Sequence, residues 1–282
     1  MRQMPEHTRS RAARFVALLA CLFCYPGTAV ASGEPAEDGS LSAAVCPIVY
    51  PLEQTPASRG YRYSFFGNGF FINEDGYILT VAHVLEAFRD GGQPYVLVSR
   101  TDSPPQLLRA DVIAVDKEHD VAILRATPNP FTGKHKVIFL PLVSDPAPLG
   151  QHVLVLSLHP QKPQNAQSFQ TPLEDRSSGE VLSYESTKLE KSAPEADIFL
   201  LSHPVTLGQS GSPVLAQDSQ AVVGLIEGRW LRSSGLSIAK SSSRPASVPG
   251  AAIPVRYAIA LLQRQTITWH APQPAPPASP MR

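Results

Sequence analysis

The sequence predicts an all-β fold, and three observations lead to this prediction. Between about residues 44 and 268, short runs rich in valine, isoleucine, leucine and aromatic residues are separated by glycine, proline, asparagine and aspartate. Residues 73–76 (Asn-Glu-Asp-Gly) are typical of a hairpin turn, because glycine supplies the positive φ that such turns need. Helical spacing is rare, so a sandwich or barrel is favoured. The runs are residues 69–73, 77–81, 94–98, 111–115, 121–124, 152–156, 198–201, 213–215, 221–226 and 251–255.

Two helical segments are expected beside the strands. Residues 84–89 predict a short helical turn directly after His83, and residues 255–264 carry apolar side chains at helical spacing and would close the domain. Residues 269–282 are rich in proline and are expected to be disordered. Long polar loops are expected at residues 161–178 and 233–249.

The first 31 residues have the features of a secretory signal peptide. Four arginines precede or border an apolar run at residues 15–24, and residues 29–31 (Ala-Val-Ala) fit cleavage after Ala31. An uncleaved anchor helix and lipidation at Cys21 remain alternatives, although the run is short for a membrane span. A secreted or periplasmic location follows, with residues 32–44 as a flexible lead-in.

Composition narrows the possible functions. The chain has 24 basic and 24 acidic residues, and removal of the signal leaves a small acidic excess. This gives no support for a nucleic-acid partner. No later stretch is apolar enough for a membrane helix.

No cofactor is expected, and the spacing of His83, His119, His135 and His152 does not indicate a zinc site. Cys46 follows the signal and is expected to be a buried, small apolar side chain. The sequence leaves the oligomeric state open.

Ser210 lies in the segment Gly-Gln-Ser-Gly-Ser-Pro at residues 208–213. Glycine on each side allows a tight turn that a substrate can approach closely. Such a turn can also aim the backbone amides of Gly208 and Ser210 at one point, as an oxyanion requires. A glycine-serine turn without chemistry is the alternative for this motif alone.

A histidine and an aspartate lie next to apolar strands. His83 follows an apolar run, and Asp120 precedes the run at residues 121–124. Either residue alone could be structural, and Asp116 and Asp111 are alternatives for the acid. Asp116 is followed by charged residues, as in a solvated turn. His119 would point away from Asp120 on a strand and is expected at the surface.

Together these motifs resemble the trypsin-like serine protease superfamily, especially the bacterial HtrA-type proteases and the glutamyl endopeptidases. The order His, Asp, Ser is the chymotrypsin order. The resemblance implies two six-stranded antiparallel barrels with a short C-terminal helix. The N-terminal barrel would span residues 45–140, and the C-terminal barrel and helix residues 141–268. The resembling segments are residues 67–83, 120–124, 178–182, 222–226 and 252–255.

The resemblance implies a serine endopeptidase acting on protein or peptide substrates. Ser210 would be the nucleophile, His83 the general base and Asp120 the residue that orients the imidazole. The amides of Gly208 and Ser210 would bind the oxyanion.

The resemblance also suggests where substrate would bind. The strand at Leu225, Ile226 and Glu227 would pair with the substrate backbone. His203 and Pro204 would line the specificity pocket, and the loop at residues 233–249 would gate it.

The sequence departs from these families in three places. Gln209 replaces the aspartate of many animal trypsins, so activation by an N-terminal ion pair is not expected. Ser212 stands where HtrA-type enzymes usually have glycine, which is more like the glutamyl endopeptidases. Few residues follow Arg264, so a PDZ domain is not expected there.

Two other function classes are alternatives. One is a catalytically silent, trypsin-like peptide-binding module. The other is an α/β-hydrolase esterase, which needs the order Ser, acid, His and regular βα alternation; neither is found in this chain.

Overall fold

The computed structural model of the protein describes residues 38–52, 62–99, 105–132, 138–161, 171–190, 192–229 and 248–272. Six antiparallel strands close the first barrel in the spatial order β1-β2-β3-β6-β5-β4. Its apolar runs turn inward, and β6 has five of its seven side chains buried. The strands are β1 Val45–Leu52, β2 Arg62–Phe71, β3 Tyr77–Val81, β4 Tyr95–Val98, β5 Gln106–Asp116 and β6 Val121–Thr127.

A second set of six antiparallel strands closes another barrel, in the order β10-β11-β12-β9-β8-β7. The two closed barrels confirm the fold class that the sequence and its resemblance predict. Closure leaves each strand paired on both sides over much of its length, which protects its backbone groups. The strands are β7 His152–His159, β8 Leu173–Thr187, β9 Ala196–Leu201, β10 Pro213–Ala216, β11 Val222–Arg229 and β12 Gly250–Pro254.

A C-terminal helix, α1, spans Val255–Arg264 and confirms the predicted closing helix. Its buried face includes Ile259 and Leu262, which join the same apolar cluster as Phe70 and Ile123 of the first barrel. Burial of each such side chain contributes about 1.5–3 kcal/mol relative to exposure. The second barrel has its own apolar cluster around Phe199. Among the described residues, no helix is both long and apolar enough to cross a membrane.

Several local predictions differ from the structure. Asp38–Ala44, assigned to the flexible lead-in, is a 3₁₀ helix, because Leu41 and Ala44 are buried in the apolar cluster. Strand β8 begins at Leu173, so the loop predicted at residues 161–178 is shorter. The resemblance included residues 178–182 of this strand, but its first part was missed because it is polar. The predicted signal peptide and most of the predicted gate loop lie outside the described residues.

The first residues of the predicted disordered tail, 269–272, are ordered. Trp269 packs partly buried against the apolar cluster, and the His270 ring stacks on Phe139 with their centroids 4.3 Å apart. His270 Nε2 also lies 2.9 Å from the Glu74 carboxylate. Residues 273–282 lie outside the described part of the chain.

Candidate active site

Asp120 ends the turn between β5 and β6. Its φ of 52° lies in the left-handed region, which aspartate tolerates better than most residues. Its carbonyl oxygen accepts a hydrogen bond from the Ala82 amide at 3.1 Å, so the turn is joined to the start of the 3₁₀ helix Ala82–Phe88, which follows β3. Asp120 is buried, with 8 % of the residue exposed. This places a carboxylate at the mouth of an apolar strand, as the sequence predicts.

His83 meets Asp120 through two hydrogen bonds. The His83 backbone amide donates to Asp120 Oδ1 at 2.8 Å, and His83 Nδ1 lies 2.7 Å from Oδ2. Strand β3 ends at Val81, and His83 lies inside the following 3₁₀ helix Ala82–Phe88 rather than before it. A proton on Nδ1 suits this contact, which leaves Nε2 as the acceptor in the neutral ring.

The surroundings of His83 act on its pKa in opposite directions. Burial is the largest single effect and lowers the pKa, because it disfavours the charged imidazolium. The hydrogen bond and charge of Asp120, with smaller contributions from the charges of Glu227 and Glu86, outweigh burial. The net result is a His83 pKa above the ordinary histidine value.

Ser210 lies in a turn that requires glycine on both flanks. Gly208 has φ +93° and Gly211 has φ +80°. A Cβ at Gly211 would lie 2.1 Å from the Asn68 carbonyl oxygen, and one at Gly208 would lie 2.6 Å from the Phe65 ring. Within the described residues, the amides of Gly208 and Ser210 donate to no protein acceptor. Two free amides in one tight turn fit the predicted oxyanion site.

The Ser210 hydroxyl donates to the Glu227 carbonyl oxygen at 3.2 Å. Within the described chain, no hydrogen bond joins this hydroxyl to the His83 ring. The structure therefore brings the predicted base and acid into direct contact, while the predicted nucleophile faces the neighbouring strand β11.

Asn68 of β2 connects the Ser210 turn to the first barrel. It is fully buried, and its backbone amide donates to the Ser210 carbonyl oxygen at 2.7 Å. Its Nδ2 donates to the Gly208 carbonyl oxygen at 2.9 Å, and its Oδ1 accepts from the Leu158 amide at 3.1 Å. Sequence reasoning missed this role. An asparagine between two glycines on an otherwise apolar strand was the available signal.

Gln209 anchors the same turn from the other side. The residue is 1 % exposed, and its Oε1 accepts from the Thr206 amide at 2.8 Å. Its Nε2 donates to Ser157 Oγ at 3.3 Å and to Asp175 Oδ2 at 3.1 Å. Asp175 also lies 3.7 Å from His159 Nε2. The sequence shows that Gln209 replaces an aspartate, but not that it has these partners.

Leu225 and Ile226 do not fit the predicted substrate-binding role. Both are fully buried, and Leu225 pairs with β10 and β12 at once. The Ile226 amide donates to Ser212, and its carbonyl oxygen accepts from Gly211. Their backbone groups are therefore occupied, because β11 is interior here.

Glu227 remains in a position to meet a substrate. It is half-buried, and its carbonyl oxygen accepts the Ser210 hydroxyl. The free edge of β11 thus starts two residues later than Leu225, the first residue of the predicted binding segment.

His203 and Pro204 differ in exposure. Pro204 is exposed, whereas His203 is buried, and neither of its ring nitrogens has a hydrogen-bond partner among the described residues. Burial lowers the His203 pKa, and the charge of Asp175 opposes this effect. A Cβ added to Gly179 of β8 would lie 2.8 Å from His203 Nδ1. The ring therefore packs against β8, while Pro204 stays a candidate pocket residue.

His119 is not a solvated surface residue, because the sequence argument assumed a strand where the chain makes a turn. Its Nδ1 lies 3.0 Å from Asp116 Oδ2, and its ring stacks on Tyr257. Asp116 also accepts a hydrogen bond from Arg264 at 2.7 Å. Asp116, His119 and Glu118 hold potential metal-ligand atoms within 4.8 Å of one another. Because Asp116 is already paired, the group is explained as a link between this turn and α1.

The chain is similar in sequence to known proteins. The family described as "Trypsin-like peptidase domain" matches residues 67–225, which is more than half of the chain. The "Probable periplasmic serine endoprotease DegP-like" of Halomonas elongata is 44 % identical over 76 residues. That match covers 26 % of this chain and 15 % of the relative, so the chain spans only a small part of it.

Solved structures share the fold at low identity. The Rv3671c protease of M. tuberculosis in its active form aligns with a TM-score of 0.55 at 18 % identity, covering 83 % of this chain and 85 % of that one. The HtrA-type protease AlgW with a decapeptide aligns with a TM-score of 0.54 at 16 % identity, covering 80 % and 65 %. The MamO protease domain of Magnetospirillum magneticum aligns with a TM-score of 0.52 at 16 % identity, covering 79 % and 98 %.

The family match begins at the glycine before Asn68 and ends inside β11, at Leu225. It therefore includes the histidine-aspartate pair, the serine turn and the first half of the strand beside that turn. With both barrels closed and this segment matched, the chain belongs to the trypsin-like peptidase family.

Proposed function

We propose that the protein is a secreted or periplasmic serine endopeptidase that acts through His83, Asp120 and Ser210. The observation that carries the proposal is the paired contact of the Asp120 carboxylate with His83. One oxygen holds the backbone amide at 2.8 Å and the other holds Nδ1 at 2.7 Å. An imidazole fixed in this way presents Nε2 as a base, which acyl transfer from a serine requires.

The first step requires a change of rotamer at Ser210. Its hydroxyl leaves the Glu227 carbonyl oxygen and turns about χ1 toward His83, a move between staggered wells. His83 Nε2 then takes the hydroxyl proton as Oγ attacks the peptide carbonyl carbon. The free amides of Gly208 and Ser210 receive the oxyanion. Asp120 stabilises the imidazolium through its contact with Nδ1.

The second half of the reaction completes the hydrolysis. The His83 imidazolium gives its proton to the leaving amine, and an acyl-enzyme remains on Ser210. Water then gives a proton to His83 and attacks the ester carbon, and Ser210 regains its hydrogen as the acid product leaves.

An extended substrate is expected along β11. Within the described residues, Gly228 and Arg229 pair with β12 on one side, and Glu227 lies at the bulge just before them. No described strand pairs with the other edge of these three residues. Such an edge accepts a peptide as an added strand. The decapeptide named with the related AlgW is consistent with a peptide substrate here.

The compartment is proposed from two sources. Residues 1–31 carry the pattern of a signal peptide, and the DegP-like relative is described as periplasmic. Mass determination of the mature N-terminus tests this part, with residue 32 expected as the first residue.

A fluorophosphonate probe tests the catalytic proposal. We expect the folded wild type to be labelled at Ser210 at neutral pH and to cleave casein. S210A should lose both properties, and S178A, which removes an exposed serine of β8, should keep both. Stable peptide binding by an unlabelled, inactive wild type would instead identify a silent peptide-binding module. Labelling and activity that persist in S210A would show that Ser210 is not the reactive group.

A further inference from the structure

Glu227 lies where an unpaired strand edge meets the proposed nucleophile. Its carbonyl oxygen accepts the Ser210 hydroxyl at 3.2 Å. Strand β10 pairs with β11 only as far as Leu225, whereas β12 continues along β11 to Arg229. A Cβ added at Gly228 would have no described atom within 4 Å, so the space beside this edge is open. A peptide that docks here passes directly by Glu227.

The Glu227 carboxylate has no partner in the described part of the chain. It makes no hydrogen bond and no ion pair there, although the residue is half-buried. Other carboxylates near the site are paired, since Asp120 contacts His83 and Glu86 contacts Arg89. A partly desolvated carboxylate without a counter-charge is unfavourable, and a cation arriving from outside relieves this cost.

Electrostatic effects agree with this location. Burial is the main cause that raises the Glu227 pKa, and the charge of Asp120 raises it further, while His83 opposes both. In turn, the charge of Glu227 raises the pKa of His83. The charge of Glu227 therefore interacts with both members of the pair, and an ionised Glu227 would add negative charge close to the serine.

We propose that the Glu227 carboxylate selects substrates with a lysine or arginine side chain within three residues of the scissile bond. The inference rests on the proposed peptidase function and adds a substrate class to it. Glu227 is a specificity-determining residue in this proposal and takes no part in bond breaking. The ammonium or guanidinium group forms a charge-assisted hydrogen bond with the carboxylate as the peptide backbone pairs with β11.

Matched fluorogenic peptides test the proposal. Each set places Lys, Met or Glu at one of the three positions on either side of the scissile bond. At one or more positions, we expect the wild-type kcat/KM for Lys to exceed that for Met by about tenfold or more. E227Q should reduce this ratio to near one while the Met peptide is still cleaved. E227K should favour the Glu peptide.

The design separates specificity from general changes in the enzyme. E190Q, which makes the same change at an exposed glutamate after β8, should keep the wild-type Lys/Met ratio. Assays above the His83 pKa keep the base neutral in every variant, and the ratio cancels effects common to both peptides. Added salt should lower the wild-type ratio, because it screens the carboxylate.

The outcomes are distinguishable from a failure of the proposed function. The proposal is overturned if E227Q is labelled by the fluorophosphonate, cleaves the Met peptide and still prefers the Lys peptide. It is also overturned if the active wild type has no preference for the Lys peptide. If the wild type is neither labelled nor active, binding of the same peptides is measured by fluorescence anisotropy. A Lys preference lost in E227Q would then support recognition by Glu227 in a non-catalytic protein, and equal binding would refute it.

Discussion

Replacing Gln209 with methionine would test whether the serine turn is held by its side-chain network. Methionine keeps the length of glutamine but cannot replace its amide hydrogen bonds. The Gln209 amide bonds the Thr206 backbone, Ser157 Oγ and the Asp175 carboxylate at 2.8, 3.3 and 3.1 Å. Two of these partners lie on β7 and β8, so the side chain ties the turn to the wall of the second barrel.

The expected loss follows from those three bonds. A typical intramolecular hydrogen bond contributes about 1 kcal/mol net, and one to a charged group somewhat more. Asp175 and Thr206 can regain water in the variant because they are partly exposed, whereas Ser157 is buried. We therefore expect Q209M to lose about 2–3 kcal/mol of unfolding free energy. A domain of ordinary stability would remain folded.

Activity should fall more than stability alone explains. If the turn shifts, the Gly208 amide leaves the oxyanion position, and loss of one such donor costs about 10²–10³ in kcat. Urea denaturation gives the stability, and peptide hydrolysis gives kcat and KM separately. Q217M, the same substitution at an exposed turn, should change stability by less than about 0.5 kcal/mol. If Q209M is less stable but keeps the wild-type kcat, Gln209 does not position the turn for catalysis. If the unfolding free energy of Q209M is unchanged, the hydrogen bonds of Gln209 do not stabilise the fold.

Three further predictions concern the same site. Because the His83 pKa is raised, the pH-rate profile should show kcat/KM rising with pH through a pKa above the usual histidine value. In the same measurement, D120N should lower that pKa and reduce kcat by about 10⁴-fold. The same pair should stabilise the fold most below the unfolded pKa of His83, with that contribution lost as pH rises through the folded pKa; comparing wild type with H83A in urea across pH checks the sign. G211A should destabilise the protein by about 3 kcal/mol or more in the same assay, since its Cβ would lie 2.1 Å from the Asn68 carbonyl oxygen at a positive φ. A flat pH profile, or a G211A protein of wild-type stability, would contradict these expectations.

Features encoded by local pattern were predictable from the sequence. Helix α1 was predicted with its observed bounds because its apolar side chains recur at helical spacing and face a buried surface. The turn at Gly76 was predictable because its φ of +79° needs glycine. The histidine-aspartate contact was predictable only because separate motifs occurred in a known order, since 37 residues separate the pair.

Features that depend on distant contacts were not predictable. Asn68 bonds a carbonyl oxygen 140 residues away, and nothing in its local sequence indicates that partner. The first half of β8 looks like a loop because its polar residues satisfy their backbone by pairing with β7 without burying an apolar face. His119 was predicted at the surface, but the turn that carries it packs against α1. The sequence around His119 does not show this contact, because α1 follows more than 130 residues later.

The position of the serine turn explains why these long-range contacts matter for chemistry. The turn belongs to the second barrel, but Asn68 of β2 holds the carbonyl oxygens of Gly208 and Ser210 on either side of Gln209. Gln209, the residue between them, is hydrogen-bonded through its side chain to β7 and β8. The peptide unit that carries the Ser210 amide lies between the two units whose carbonyl oxygens Asn68 holds, so the direction of this amide depends on both barrels at once. A substitution that loosens either anchor should therefore lower kcat even when His83 and Asp120 remain paired.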